Sequence, residues 1–82
     1  MYDVIFSDTS LKKLKKLDRS IQKRIIAALE RIRVRPEQFV RRLVNSPYFR
    51  LRVGQYRIII DIKHRELIVL VLEIDHRKKI YK

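Results

Sequence analysis

The residues of this chain best suited to chemistry are three arginines and a tyrosine: Arg50, Arg52, Arg57 and Tyr81, with His76 in the same basic tail as the tyrosine. Guanidinium groups stay charged at any physiological pH and grip phosphate oxygens bidentately, so such a set points to a phosphodiester. It suits metal-free RNA cleavage, in which the ribose 2′-OH attacks its own phosphate. The arginines would orient the strand and offset the charge of the transition state. Groups that never lose their proton are poor bases. The proton acceptor has to be Tyr81, whose phenol the surrounding guanidinium groups would acidify, or His76.

Other chemistries lack their residues. The one glycine, Gly54, excludes a glycine-rich phosphate loop, and there is no cysteine and no serine elbow for acyl transfer. The acids Asp3, Asp8, Asp18, Glu30, Glu37, Asp61, Glu66, Glu73 and Asp75 are scattered, which disfavours a two-metal nuclease. His64 and His76 without any cysteine make a poor metal site, and His64 reads as a turn residue. No metal and no cofactor are expected.

The charge describes the partner. The chain has 82 residues, one domain's worth, and 46% of them are hydrophobic, enough for a small core. Its 21 Lys and Arg against 9 Asp and Glu leave a formal net charge of +12, which calls for a polyanion. Residues 11–35 alone hold ten bases and two acids. Taken singly, Lys12, Lys13, Lys15, Lys16, Lys23 and Arg24 read as solvated helix positions. Together they could contact RNA backbone, where phosphate and shape are read rather than sequence. Lys78 and Lys79 add to this charge in the tail, where Ile80 and Tyr81 argue that the segment docks rather than frays. No apolar run could span a bilayer and Met1 opens no signal-like segment, so a soluble cytoplasmic protein is expected.

The elements that must position these residues follow from periodicity. Residues 2–6 read as a short strand. Ser7 or Asp8 caps a helix near 8–16, with Leu11, Leu14 and Leu17 at helical spacing. Asp18 caps a second helix whose stripe is Ile21, Ile25, Ala28, Leu29 and Ile32, with Arg19, Lys23, Arg24 and Arg31 opposite. Pro36 lies at or beyond its end, and the two helices form a hairpin. Residues 36–46 receive no element. From Tyr48 the period is two. A two-residue Gly54-Gln55 turn of type II′ pairs Val53 with Tyr56, Leu51 with Ile58 and Phe49 with Ile60. On the other face this register sets Arg52 opposite Arg57, with Arg50 diagonal. A like-charge pair costs a few tenths to about 1 kcal/mol. That is either a tolerated solvated face or one that an anion covers. Lys63-His64-Arg65 is the next turn, and Leu67 to Leu72 reads as a strand covered on both faces. The result is an α+β domain over residues 1–82, ordered β-α-α-β-β-β, with an N-terminal helical hairpin on one face of a mainly antiparallel sheet.

That order, the run Tyr48-Phe49-Arg50-Leu51-Arg52-Val53-Gly54-Gln55-Tyr56-Arg57-Ile58-Ile59 and the ending Asp75-His76-Arg77-Lys78-Lys79-Ile80-Tyr81 resemble the RelE/ParE superfamily of toxins, closest to archaeal RelE proteins. The resemblance spans nearly the whole chain. It implies a type II toxin that acts as a ribosome-dependent mRNA endoribonuclease in the ribosomal A site, neutralised by a cognate RelB-like antitoxin. It implies that Arg57 and Arg77 contact the scissile phosphate and that Tyr81 stacks on or positions mRNA. Arg50 and Arg52 fall where bacterial relatives carry two lysines, one a proposed base, so the base here shifts towards Tyr81 and His76. Two other readings stand beside it: a ParE-like inhibitor of DNA gyrase on the same fold, and a ribosome- or nucleic-acid-binding module without catalysis.

Overall fold

The computed structural model describes residues 1–76. Strand β1 (Asp3–Phe6) leads into helices α1 (Asp8–Lys15) and α2 (Arg19–Arg31). A 3-10 turn at Pro36–Gln38 precedes strands β2 (Arg41–Arg42), β3 (Phe49–Val53), β4 (Tyr56–Lys63) and β5 (Ile68–His76). The five strands form one sheet in the order β1-β5-β4-β3-β2, with β1 and β5 parallel and the other pairs antiparallel. The α+β class and the helical hairpin on one face are as the sequence predicts. The order gains β2, a strand too short to show a period.

Ser7 caps α1 by accepting a hydrogen bond from the Ser10 N–H. Asp18 occupies the cap position of α2 but makes no side-chain capping bond. The Gln22 amide instead closes the end of α1, donating to the Leu17 carbonyl at 2.8 Å. Ile25, Leu29 and Ile32 of α2 and Leu14 of α1 are buried against Phe49, Leu51, Val53, Ile58, Ile60 and Ile62. Leu11, in contrast, stays exposed. The β3–β4 register is the predicted one, from Val53 opposite Tyr56 to Phe49 opposite Ile60. Gly54 has φ +57° and Gln55 is not left-handed, as a type II′ turn requires.

Two expectations for β5 need correction. Leu67 is not in the strand: it ends the turn in the left-handed region at φ 58° and is exposed. Nor is the strand covered on both faces. Val69 and Val71 are fully buried, whereas Ile68, Leu70 and Leu72 are half-buried, because both helices pack on one side.

Further along β5 the pairing shifts. Ile59 opposes Glu73 and Ile60 opposes Val71, which leaves Leu72 as a bulge. Without it, strict alternation after Val69 and Val71 would turn Glu73 and Asp75 into the core. The bulge reverses the parity, so Ile74 is buried and Asp75 emerges on the helix-free face opposite Arg57. Two serines hold this irregular stretch. The Val71 carbonyl accepts from the Ser7 N–H and from the buried Ser10 hydroxyl, both at 2.9 Å. The Ser7 hydroxyl donates to the Leu72 carbonyl at 3.0 Å.

Candidate nucleic-acid interface

Alternation along β3 and β4 sends Phe49, Leu51, Ile58 and Ile60 to the helices, so Arg50, Arg52 and Arg57 share the opposite, helix-free face. Arg52 lies directly across from Arg57, and Arg50 across from Ile59. Strand β2 adds a second like-charge pair, Arg41 opposite Arg50. Four arginines thus stand in two cross-strand pairs, each of which costs the free protein up to about 1 kcal/mol.

Little inside the described chain offsets this charge. Arg57 has Asp75 at 4.0 Å, an ion-pair distance too long for a hydrogen bond, and its buried Nε has no partner among the described residues. No ion pair or hydrogen bond engages the side chains of Arg41, Arg50 or Arg52 there. Phe39, Arg41, Arg50 and Arg52 line a cleft of about 270 Å³. A second cleft of about 310 Å³, lined by Arg24, Ala27, Ala28, Arg31, Arg52, Val53 and Gly54, separates α2 from the hairpin tip. Arg52 borders both. The Arg24 guanidinium lies so close to Gly54 that a Cβ there would meet its Nη2 at 3.1 Å. Gly54 is required as the positive-φ residue of the turn, and the Arg24 guanidinium rests against it.

A family model described as the ParE toxin of the type II toxin–antitoxin system parDE matches residues 4–81. The chain belongs to that family. Solved structures agree in fold. A chain of the RelBE2 toxin–antitoxin complex of Mycobacterium tuberculosis is 28% identical, with a TM-score of 0.82 over 93% of this chain and 98% of that one. The RelB–RelE complex of Methanococcus jannaschii matches at 27% identity, with a TM-score of 0.70 over 94% of each chain. The RelE–RelB complex of Pyrococcus horikoshii OT3 matches at 23% identity, with a TM-score of 0.79 over 93% and 94%. Among curated proteins none matches the sequence significantly.

The family member therefore displays Arg50, Arg52 and Arg57 on one face, as its sequence implies. His76 is not with them. It pairs with Tyr56 on the helix-bearing side, the two rings meeting edge to face at 4.8 Å. Arg77, Lys78, Lys79 and Tyr81, and the docking expected of Ile80 and Tyr81, lie outside the described residues. Lys12, Lys15, Lys16, Lys23 and Arg24 are exposed on the helices and Lys13 is half-buried. Of these, Arg24 lines a cleft shared with the sheet residue Arg52. His64 is more than a turn residue: its Nδ1 lies 2.9 Å from the Tyr2 hydroxyl and its Nε2 3.6 Å from Glu37. Among the described residues no His, Cys, Asp or Glu side chains gather as a metal-ligand set, and no helix is long and apolar enough to cross a membrane.

Sequence reasoning missed Phe39, Arg41 and Arg31 at this surface. The signal for Arg41 was the dibasic Arg41-Arg42 between a proline turn and the first alternating strand. Arg31 carried the same signal as Arg24, its place on the basic face of α2, whereas only the folded chain brings Phe39 to the arginines.

Proposed function

We propose that this toxin is an endoribonuclease that cuts mRNA in the ribosomal A site, closest in action to archaeal RelE proteins. The observation that carries the reading is the gathering of Arg50, Arg52 and Arg57 on one face with, among the described residues, a single carboxylate at ion-pair distance. In the cleavage step the ribose 2′-oxygen bonds to phosphorus and the bond to the 5′-oxygen breaks, leaving a 2′,3′-cyclic phosphate and a 5′-hydroxyl. Arg50 and Arg52 hold the strand, and Arg57 meets the charge that develops on the phosphoryl oxygens. Arg77 completes the grip and assists protonation of the leaving oxygen. Tyr81 positions the message and takes the 2′-proton in preference to His76, whose ring is turned to Tyr56. No metal or cofactor enters these steps. The basic helices dock on ribosomal RNA through Lys12, Lys13, Lys15, Lys16, Lys23 and Arg24, with Lys78 and Lys79 adding to the attraction. Complexes of RelE with RelB among the similar structures support a RelB-like antitoxin as the neutralising partner.

The direct test is a translation extract programmed with a defined mRNA. Antitoxin-free protein should generate a new cut at the A-site codon, and an intact message would overturn the reading. A second reading, inhibition of DNA gyrase, is favoured by the ParE description of the matching family. Loss of supercoiling with the message intact would establish it instead.

A further inference from the structure

Phe39 has an unusual place for a large apolar ring. It is 47% exposed and walls a cleft whose other lining residues are Arg41, Arg50 and Arg52. Among the described residues no acid lines that cleft. Among the described residues no other ring packs on Phe39 and no guanidinium lies over it, whereas Phe49 is covered by Arg42 at 4.7 Å. The backbone that carries the ring is anchored. Its N–H donates to the carbonyl of buried Pro36, Val40 packs on the core, and the next two residues are tied into the sheet as β2. A bare aromatic face on an anchored backbone, beside three cations with no ion pair among the described residues, is the arrangement by which proteins hold single-stranded nucleic acid, with a base on the ring and its phosphate on the cations. An apolar helix would have to desolvate three guanidinium groups to reach the same ring.

We propose that Phe39 is a stacking platform for one unpaired RNA base, whose adjoining phosphate is held by Arg41, Arg50 and Arg52. The proposal rests on the RNA-cleaving reading and deepens it. Duplex RNA keeps its bases stacked on each other, so the platform selects a single-stranded segment and positions it against Arg57. Phe39 is a positioning residue and takes no part in proton transfer.

The chain has no tryptophan, so Phe39→Trp installs a single reporter at the platform. Its fluorescence should be quenched by a short single-stranded RNA, and not by the same RNA as a duplex or by an abasic strand of equal charge. Phe39→Leu keeps an apolar side chain but removes the ring. It should weaken single-strand binding by about 10-fold with an unchanged melting temperature, and Phe39→Trp should restore wild-type affinity. Two results would overturn the proposal while leaving the nuclease reading intact: a Phe39→Leu protein that binds and cuts RNA like wild type, or a Phe39→Trp signal unmoved by RNA that the protein does bind. If wild type neither binds nor cuts RNA and an acidic peptide alone quenches the tryptophan, both readings fall and the cleft is a protein dock.

Discussion

The two edges of the sheet treat their cations in opposite ways. At the β1 edge all three nitrogens of the Arg33 guanidinium are engaged: its Nε donates to the Tyr2 carbonyl at 2.7 Å, its Nη1 to Glu30 at 2.9 Å, and its Nη2 lies 3.5 Å from Asp3. Nearby, Lys63 has Asp61 at 3.4 Å and His64 has Tyr2 and Glu37. At the β2 edge and the adjoining β3, Arg24, Arg31, Arg41, Arg50 and Arg52 share two clefts with no acid lining either and no ion pair among the described residues. The same residue type does different work. Paired arginine ties β1 to the end of α2, whereas arginines with no acid beside them among the described residues repel one another. Charge that supports the fold and charge left without a counter-ion among the described residues are thus separated across the sheet.

The largest effect that would sharpen this contrast is on cleavage. Arg57→Ala should lower A-site cutting by about 100-fold or more, as loss of a transition-state donor does, with no loss of melting temperature. A variant that melts early would move Arg57 to the structural class. Next comes RNA affinity: Arg24→Ala with Arg31→Ala should weaken single-strand binding and flatten its salt dependence, by roughly 0.7 in the log–log slope for each phosphate that is no longer neutralised. An unchanged slope would confine the interface to the sheet. Third, Arg33→Ala should destabilise the protein by about 1–2 kcal/mol in urea melts and leave the cleavage rate of folded protein unchanged. Impaired cleavage there would break the division between edges. The smallest effect has the opposite sign. Arg52→Gln removes one member of a like-charge pair and should stabilise the free protein by a few tenths of a kcal/mol while reducing RNA binding.

Much of the fold was legible because its signals are local. The stripe of Ile25, Leu29 and Ile32 is a helix face, and Gly54 alone among the residues tolerates the first position of a type II′ turn without strain. From that turn the β3–β4 register and the Arg52–Arg57 pair follow. The apolar run at 67–72 was less informative. Uniform hydrophobicity hid that only Val69 and Val71 face the core and that Leu67 turns the chain. The candidate site was half legible: Arg50, Arg52 and Arg57 were read from alternation, while Arg41 and Phe39 sit where no period exists.

By itself, then, the sequence determined which residues carry charge, which faces are apolar, and that three arginines of one hairpin share a side. Only the tertiary structure decided what stands next to them. The bulge at Leu72 turned Asp75 towards Arg57 and Ile74 into the core. That irregularity is supported by Ser7 and Ser10, more than sixty positions away along the chain. The 3-10 turn and β2 brought Phe39 and Arg41 to the arginine cleft, and the helical hairpin laid Arg24 against Gly54. The physical reason is common to all three. Alternation and helical period are properties of neighbouring residues, whereas a bulge, a two-residue strand and a cleft exist only once distant segments satisfy each other's backbone groups.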